Sequence, residues 1–224
     1  MAEEDPAGRL GDRWCWGESL APLRAVVERG GVLAVPTESS YGLAVDPRDP
    51  RGVEVIYRLK GRQRGLPLPV VAGSLEQLGA LGVAIDEPLF RRLASLWPAP
   101  LSLVVAASRG LPAAAGGDTL AVRLPGHRPL LELLQGLGLA LTATSANRSG
   151  EPPITDPSEL SDLLAGSDAL IVDGGRLGGG PPSTMLALGD DGLTMLRRGG
   201  YPIADLRRRV PELSTEAARG ESAH

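Results

Sequence analysis

Short aliphatic runs, none near the roughly 20 residues needed to cross a bilayer, alternate along this chain with stretches whose apolar residues recur at helical spacing. That alternation restricts the fold to strands interleaved with helices. Val32-Leu33-Ala34-Val35 reads as a buried strand stopped by Pro36, after a helix that Ser19 caps and that runs to Gly30. Val53, Ile56 and Leu59 keep helical spacing and place Lys60 at or just past a helix C-terminus. Residues 67–72 read as a strand, and Ser74 with Gln77 makes a capping-box pattern for the next helix. Further strands are expected at 101–107, 120–124, 139–144, 169–172, 184–188 and 194–197, the last two flanking a Gly189-Asp190-Asp191-Gly192 hairpin turn. Helices are expected at 87–96, 129–134 and 157–164, the last capped by Asp156 with Glu159 in the reciprocal position. The expected architecture is α/β: one twisted mixed sheet with packed helices, in a single domain over 13–212 with flexible tails at 1–12 and 213–224.

Aromatic residues make up only 3% of a chain that is 42% hydrophobic, so the core is aliphatic and platforms for stacking bare nucleobases are few. A net charge of -4 lacks the positive field of a dedicated nucleic-acid binder, although a local basic groove is compatible with it. The first 13 residues are polar and acidic, unlike a signal peptide, which points to the cytoplasm. Cys15, the lone cysteine, cannot form an internal disulfide; between Trp14 and Trp16 it reads as a buried or half-buried thiol. His127 and His224 are too few for a histidine metal site, no carboxylates show ligand spacing, and no metal ligands are assigned. Walker, GxGxxG and GxSxG patterns are absent; the glycine tract at 174–180, followed by Pro181 and Pro182, reads as a flexible loop. His127, beside Pro125 and Gly126, reads as a turn residue.

Against this background two residues stand out by their rarity. Lys60 is the one lysine among 23 lysines and arginines, and Asn147 is the one asparagine. Arginine replaces lysine wherever a solvated charge suffices, but not where a compact ammonium must reach its partner. Asparagine combines an uncharged donor and acceptor on one short stem. Either could also be a chance survivor of biased composition. Both lie in dense polar segments, 60–64 and 144–150, which with 36–42 sit at strand ends, where open α/β sheets collect ligands. Together these segments offer hydroxyls, an amide and several cations suited to phosphate and carboxylate. Arg123, inside an apolar strand, requires a partner, either a structural salt bridge or a bound carboxylate. Arg197-Arg198 is a solvated pair or a phosphate clamp, and Arg207-Arg208-Arg209 a solvated helix face.

Seven segments in order, PTESSYGL (36–43), KGR (60–62), WPAPLSLV (97–104), TLAVRLP (119–125), TSANRSGEP (144–152), PST (182–184) and LRRG (196–199), make the chain resemble the YrdC-like threonylcarbamoyl-AMP synthases. The resemblance implies one α/β domain around a large concave cavity. It also implies a nucleotidyltransferase that joins ATP, bicarbonate and L-threonine, with Mg2+ accompanying the nucleotide, in the making of tRNA threonylcarbamoyladenosine. Carried over by position, Lys60 and Arg62 become the catalytic pair facing the triphosphate. Thr119, Ser145, Asn147 and Arg197 help hold ATP, while Ser39, Arg123 and Ser183 lie near threonine, and Thr37 and Tyr41 shape the pocket. Partners implied are the small substrates and downstream tRNA-modification proteins, with RNA contact weak or indirect and no membrane.

The chain departs from the family pattern at Ser39, where threonine is usual, at Leu66, where a polar residue is common, and at Pro153, where some relatives carry serine. These departures motivate a second reading: a paralogue that binds nucleotide or RNA, or transfers a carbamoyl group to another acceptor.

Overall fold

The computed structural model describes residues 13–189 and 192–211. In chain order its elements are β1 (Arg13–Cys15), α1 (Ala21–Glu28), β2 (Val32–Pro36), β3 (Tyr41–Ala44), α2 (Pro50–Lys60), β4 (Val70–Val71), α3 (Leu75–Gly79), α4 (Pro88–Ala94), β5 (Leu101–Ala106), β6 (Thr119–Arg123), α5 (Arg128–Leu137), β7 (Leu141–Thr142), β8 (Thr144–Ser145), α6 (Leu160–Leu164), β9 (Ala169–Asp173), β10 (Thr184–Gly189), β11 (Gly192–Arg197) and α7 (Ile203–Arg209). The expected tails, His224, and Asp190 and Asp191 at the hairpin tip lie outside the described residues.

The run at 32–35 is apolar throughout because both faces of β2 are covered. Val32 and Ala34 join one core with Leu43 and Ile56, whereas Leu33 and Val35 join a second with Val26 of α1 and Leu134 of α5. Helix α5 closes that second core with Leu130, Leu133, Leu134 and Leu137, the i, i+3, i+4, i+7 stripe of an amphipathic helix. Each such leucine taken from water to full burial contributes about 1.5–3 kcal/mol. His127 caps this helix, its Nδ1 accepting from the Leu130 N–H at 3.3 Å, which bears out the turn reading.

Strand pairing divides between two sheets, not the one expected: β1-β9-β2-β3-β8 and β11-β10-β5-β6-β4-β7. The expected strand at 139–144 is where they meet. β7 pairs with β4 and β8 with β3, while the Thr142 N–H donates to the Val45 carbonyl at 2.9 Å and the Ala143 N–H to the Pro69 carbonyl at 2.8 Å. One segment thus changes ladders at Ala143 because each neighbour supplies only a short stretch of free backbone groups.

Smaller differences have local causes. The strand expected at 67–72 is limited to Val70–Val71, and Pro67 and Pro69 have no N–H to offer a ladder. Leu20, not Ser19, is the N-cap of α1, although Ser19 Oγ accepts from the Ala21 N–H at 3.2 Å. The helix expected at 157–164 begins as a 3-10 turn, Pro157–Glu159, where Asp156 accepts from the Ser158 N–H. Cys15 is exposed rather than buried, because strand alternation turns Trp14 inward and its neighbours outward. Arg207, Arg208 and Arg209 form an exposed helix face, as expected.

Candidate active site

The two ladders flank a cavity of about 490 Å3. Its wall follows from strand alternation. Along β6, Leu120 and Val122 are fully buried in the core, so Thr119, Ala121 and Arg123 face the opposite way and line the hollow. β5 does the same, with Leu101 and Leu103 inward and Ser102 and Val104 on the cavity side. Small or polar residues on that face leave space where another sheet would place packed leucines. The loop from β2 to β3 adds Thr37, Ser39 and Ser40, the segment after β7 adds Thr144 and Ser145, and the hairpin side adds Ser183, Met185 and Arg197.

Three arginines, Arg62, Arg123 and Arg197, line this cavity together with many hydroxyls, and among the described residues no carboxylate does. Such a lining has the chemistry suited to an anion. Arg197 donates to the Ser183 carbonyl at 3.1 Å and to Ser183 Oγ at 3.2 Å, and Ser183 Oγ lies 2.8 Å from Ser102 Oγ. Withdrawal from solvent on the cavity side, then the like charge of Arg123, holds the Arg197 guanidinium below its ordinary range. Arg123 fulfils the salt-bridge expectation while also facing the cavity, its Nη1 donating to Glu38 Oε1 at 2.7 Å. The buried Tyr41 hydroxyl donates to the Gly175 carbonyl at 2.8 Å and accepts from the Gly174 N–H at 3.1 Å, tying the glycine tract to β3.

Lys60 and Asn147 do not belong to the lining. α2 buries Val53, Ile56, Tyr57 and Lys60, again i, i+3, i+4, i+7, so the lysine occupies the last position of an otherwise apolar stripe. An ammonium there must be hydrogen-bonded, and it is. Nζ donates to the Ser145 carbonyl, to the Asn147 carbonyl at 3.0 Å and to Asn147 Oδ1 at 3.0 Å. Asn147 uses both ends of its amide: Oδ1 also accepts from Ser145 Oγ at 2.6 Å, and Nδ2 donates to the Arg148 and Glu151 carbonyls. Burial, then the like charge of Arg62, pushes the Lys60 ammonium down to about 8. The two rare residues therefore meet each other, forming a polar knot behind the wall that carries Ser145.

Arg62 diverges from Lys60 because α2 ends at Gly61 with φ +56, a left-handed conformation suited to glycine. The Gly61 N–H returns to the Arg58 carbonyl and the Arg62 N–H to the Tyr57 carbonyl, a Schellman closure that reverses the chain.

Of the site residues expected from sequence, Thr37, Ser39, Tyr41, Arg62, Thr119, Arg123, Ser145, Ser183 and Arg197 line one cavity. Leu66 is 42% exposed and, like the exposed Pro153, is absent from the lining. Glu38 was passed over although it lies inside the PTESSYGL segment. The signal for it was a second lone charge in a motif that also needs a partner for Arg123. Ser102 was likewise readable as the polar residue of Leu101-Ser102-Leu103. Among the described residues no cluster of three or more metal-ligating side chains occurs, and no helix is long and apolar enough to cross a membrane.

A model of the Sua5/YciO/YrdC family, described as "Telomere recombination", matches residues 25–199. A threonylcarbamoyl-AMP synthase of Thiobacillus denitrificans is 39% identical over 169 residues, covering 74% of this chain and 89% of the relative. One from Pyrococcus abyssi is 34% identical and matches 86% of this chain but only 57% of its own length. The crystal structure of P. abyssi Sua5 complexed with L-threonine superposes with a TM-score of 0.78 at 30% identity, covering 91% of this chain and 62% of that one. E. coli YciO, at 24% identity and a TM-score of 0.72 over 86% of this chain and 96% of its own, shares the fold.

Proposed function

The chain belongs to the Sua5/YciO/YrdC family, and from that premise we propose that it makes L-threonylcarbamoyl-AMP from L-threonine, bicarbonate and ATP, releasing pyrophosphate. The observation that supports this best is the cavity itself: three arginines and a ring of hydroxyls with no carboxylate among the described residues that line it, assembled from segments far apart in sequence. A triphosphate and an amino-acid carboxylate need this kind of lining, and a volume of about 490 Å3 is of the size small-molecule sites occupy.

In this reading Arg62 and Arg197 take the phosphates, and Thr119 and Ser145 help seat the nucleotide. Arg123 pairs with the threonine carboxylate, near Ser39 and Ser183, while Thr37 and Tyr41 shape the pocket. Lys60 and Asn147 support Ser145 from behind, because all three protons of the ammonium are already donated within the protein. Mg2+ would enter with ATP as part of the substrate and offset phosphate charge, since the described residues of the cavity wall offer hydroxyls but no carboxylate ligand.

The threonine ammonium releases a proton to solvent, and the resulting amine and bicarbonate lose water to give a carbamate, whose oxygen attacks the α-phosphorus while the bond to the β-phosphate oxygen breaks. No side chain must exchange a proton in the displacement itself. Catalysis is therefore positioning of carbamate against phosphorus and stabilisation of the charge passing to pyrophosphate, both within reach of fixed arginines. The product serves tRNA threonylcarbamoyladenosine formation in the cytoplasm, handed to downstream modification proteins with at most weak RNA contact.

The direct test is pyrophosphate release from folded protein with Mg2+-ATP, L-threonine and bicarbonate. Release should require all three substrates; ATP-dependent release indifferent to threonine, or none at all, overturns the assignment.

A further inference from the structure

We propose that Glu38 is a positioning residue that fixes the guanidinium of Arg123 and neutralises it locally, so that this end of the cavity accepts a zwitterionic amino acid rather than a polyphosphate. The inference rests on the reading of the cavity as a threonine and ATP site.

Two anchors hold the Glu38 carboxylate. Its Oε1 accepts from Arg123 Nη1 at 2.7 Å and from the Gly126 N–H at 2.8 Å. The second bond comes from the backbone of the turn after β6, so the carboxylate is a fixed post and the arginine is aimed by it. Arg123 is itself fixed at its root, because its backbone pairs with Val71 in the β4–β6 ladder. One Nη1 contact is the only side-chain hydrogen bond of Arg123 among the described residues. Its remaining donors are left for the hollow that it lines.

The charge balance follows the same geometry. Arg197 feels the like charge of Arg123 across the cavity. Glu38 compensates one of the two. Burial raises the Glu38 carboxyl, but the charge of Arg123 and hydrogen bonds from backbone and guanidinium more than offset it, leaving the group below the usual carboxylate range and ionised at neutral pH. The Arg123 end is thereby close to neutral, while Arg62 and Arg197 have no ion-pair partner among the described residues. A triphosphate is drawn to the unpaired pair, and a carboxylate with its own ammonium fits the compensated one.

The other carboxylate oxygen, Glu38 Oε2, is buried and has no hydrogen-bond partner among the described residues. Buried acceptors are normally satisfied.

The test uses Glu38→Gln, which keeps an oxygen for Gly126 and Arg123 but removes the charge, and Glu38→Asp, which keeps the charge but shortens the reach. Both are compared with the wild-type chain by substrate kinetics and by calorimetric threonine binding without ATP. Both variants should raise the KM for threonine about tenfold, with the ATP KM within about twofold. In Glu38→Gln, inorganic pyrophosphate should also become a better competitor of threonine. Equal changes in both KM values, or an unchanged threonine KM, overturn the positioning role. Should the wild type neither bind threonine nor release pyrophosphate, it is the underlying assignment that falls.

Discussion

Lys60 and Arg62 stand two positions apart and end on opposite sides of one wall. The lysine completes the buried stripe of α2 and saturates its ammonium on Ser145 and Asn147, whereas the arginine, carried past the Gly61 reversal, lines the cavity. The region behind the wall is a closed hydrogen-bond network. The region in front is a set of cations and hydroxyls with unused valences. The same residue class therefore serves rigidity in one place and binding in the other, and the switch between them is one helix terminus.

Replacing Lys60 should break the rear region first. Lys60→Met keeps the apolar stem and takes the ammonium from three oxygens, of which Asn147 Oδ1 retains Ser145 Oγ as a donor, at a cost of about 3 kcal/mol, read as a lowered urea midpoint. Pyrophosphate release should fall at least tenfold as Ser145 loses its support. An unchanged midpoint would show that the ammonium does not hold the wall.

Arg62→Ala sharpens the contrast from the other side. Its one side-chain hydrogen bond among the described residues is a long 3.5 Å bond to the Pro67 carbonyl, so stability should move by no more than about 0.5 kcal/mol. The KM for ATP should rise about tenfold, or about 1.4 kcal/mol, with the threonine KM nearly constant. A loss of stability matching that of Lys60→Met would erase the distinction between the two regions.

The last effect is electrostatic. The folded chain holds the Lys60 proton only to about 8, against 10.5 for a free lysine. Between those values the unfolded chain binds more protons, so this group's contribution makes stability rise with pH there. The stability difference between wild type and Lys60→Met, measured in urea at a series of pH values, should grow in favour of the wild type from about 8 to 10.5. A difference flat across that window would place the ammonium in a water-like setting.

Much of the site was legible because its segments carry polar residues where packing calls for apolar ones. Arg123 in Ala121-Val122-Arg123-Leu124 could not be buried alone, so the strand that carries it required either a salt bridge or a bound carboxylate. Asn147 was legible as special, but not its use: rarity marks a constraint without saying whether a ligand or the fold imposes it. β3 was missed because Tyr41-Gly42-Leu43-Ala44 begins inside a motif of serines, and a strand that short takes its identity from β2 and β8 beside it. Glu38 escaped notice because its partner lies 85 positions away.

By itself the sequence determined the alternation of strands and helices, the aliphatic core and the family. These depend on periodicity and on local chemistry, which a linear string records. Only the tertiary structure decided that the strands divide into two ladders, that Lys60 faces Asn147 instead of the hollow, and that Glu38 stands behind Arg123. Those outcomes depend on which backbone groups remain free at each strand end and on where a helix stops, and both are settled when distant segments pack.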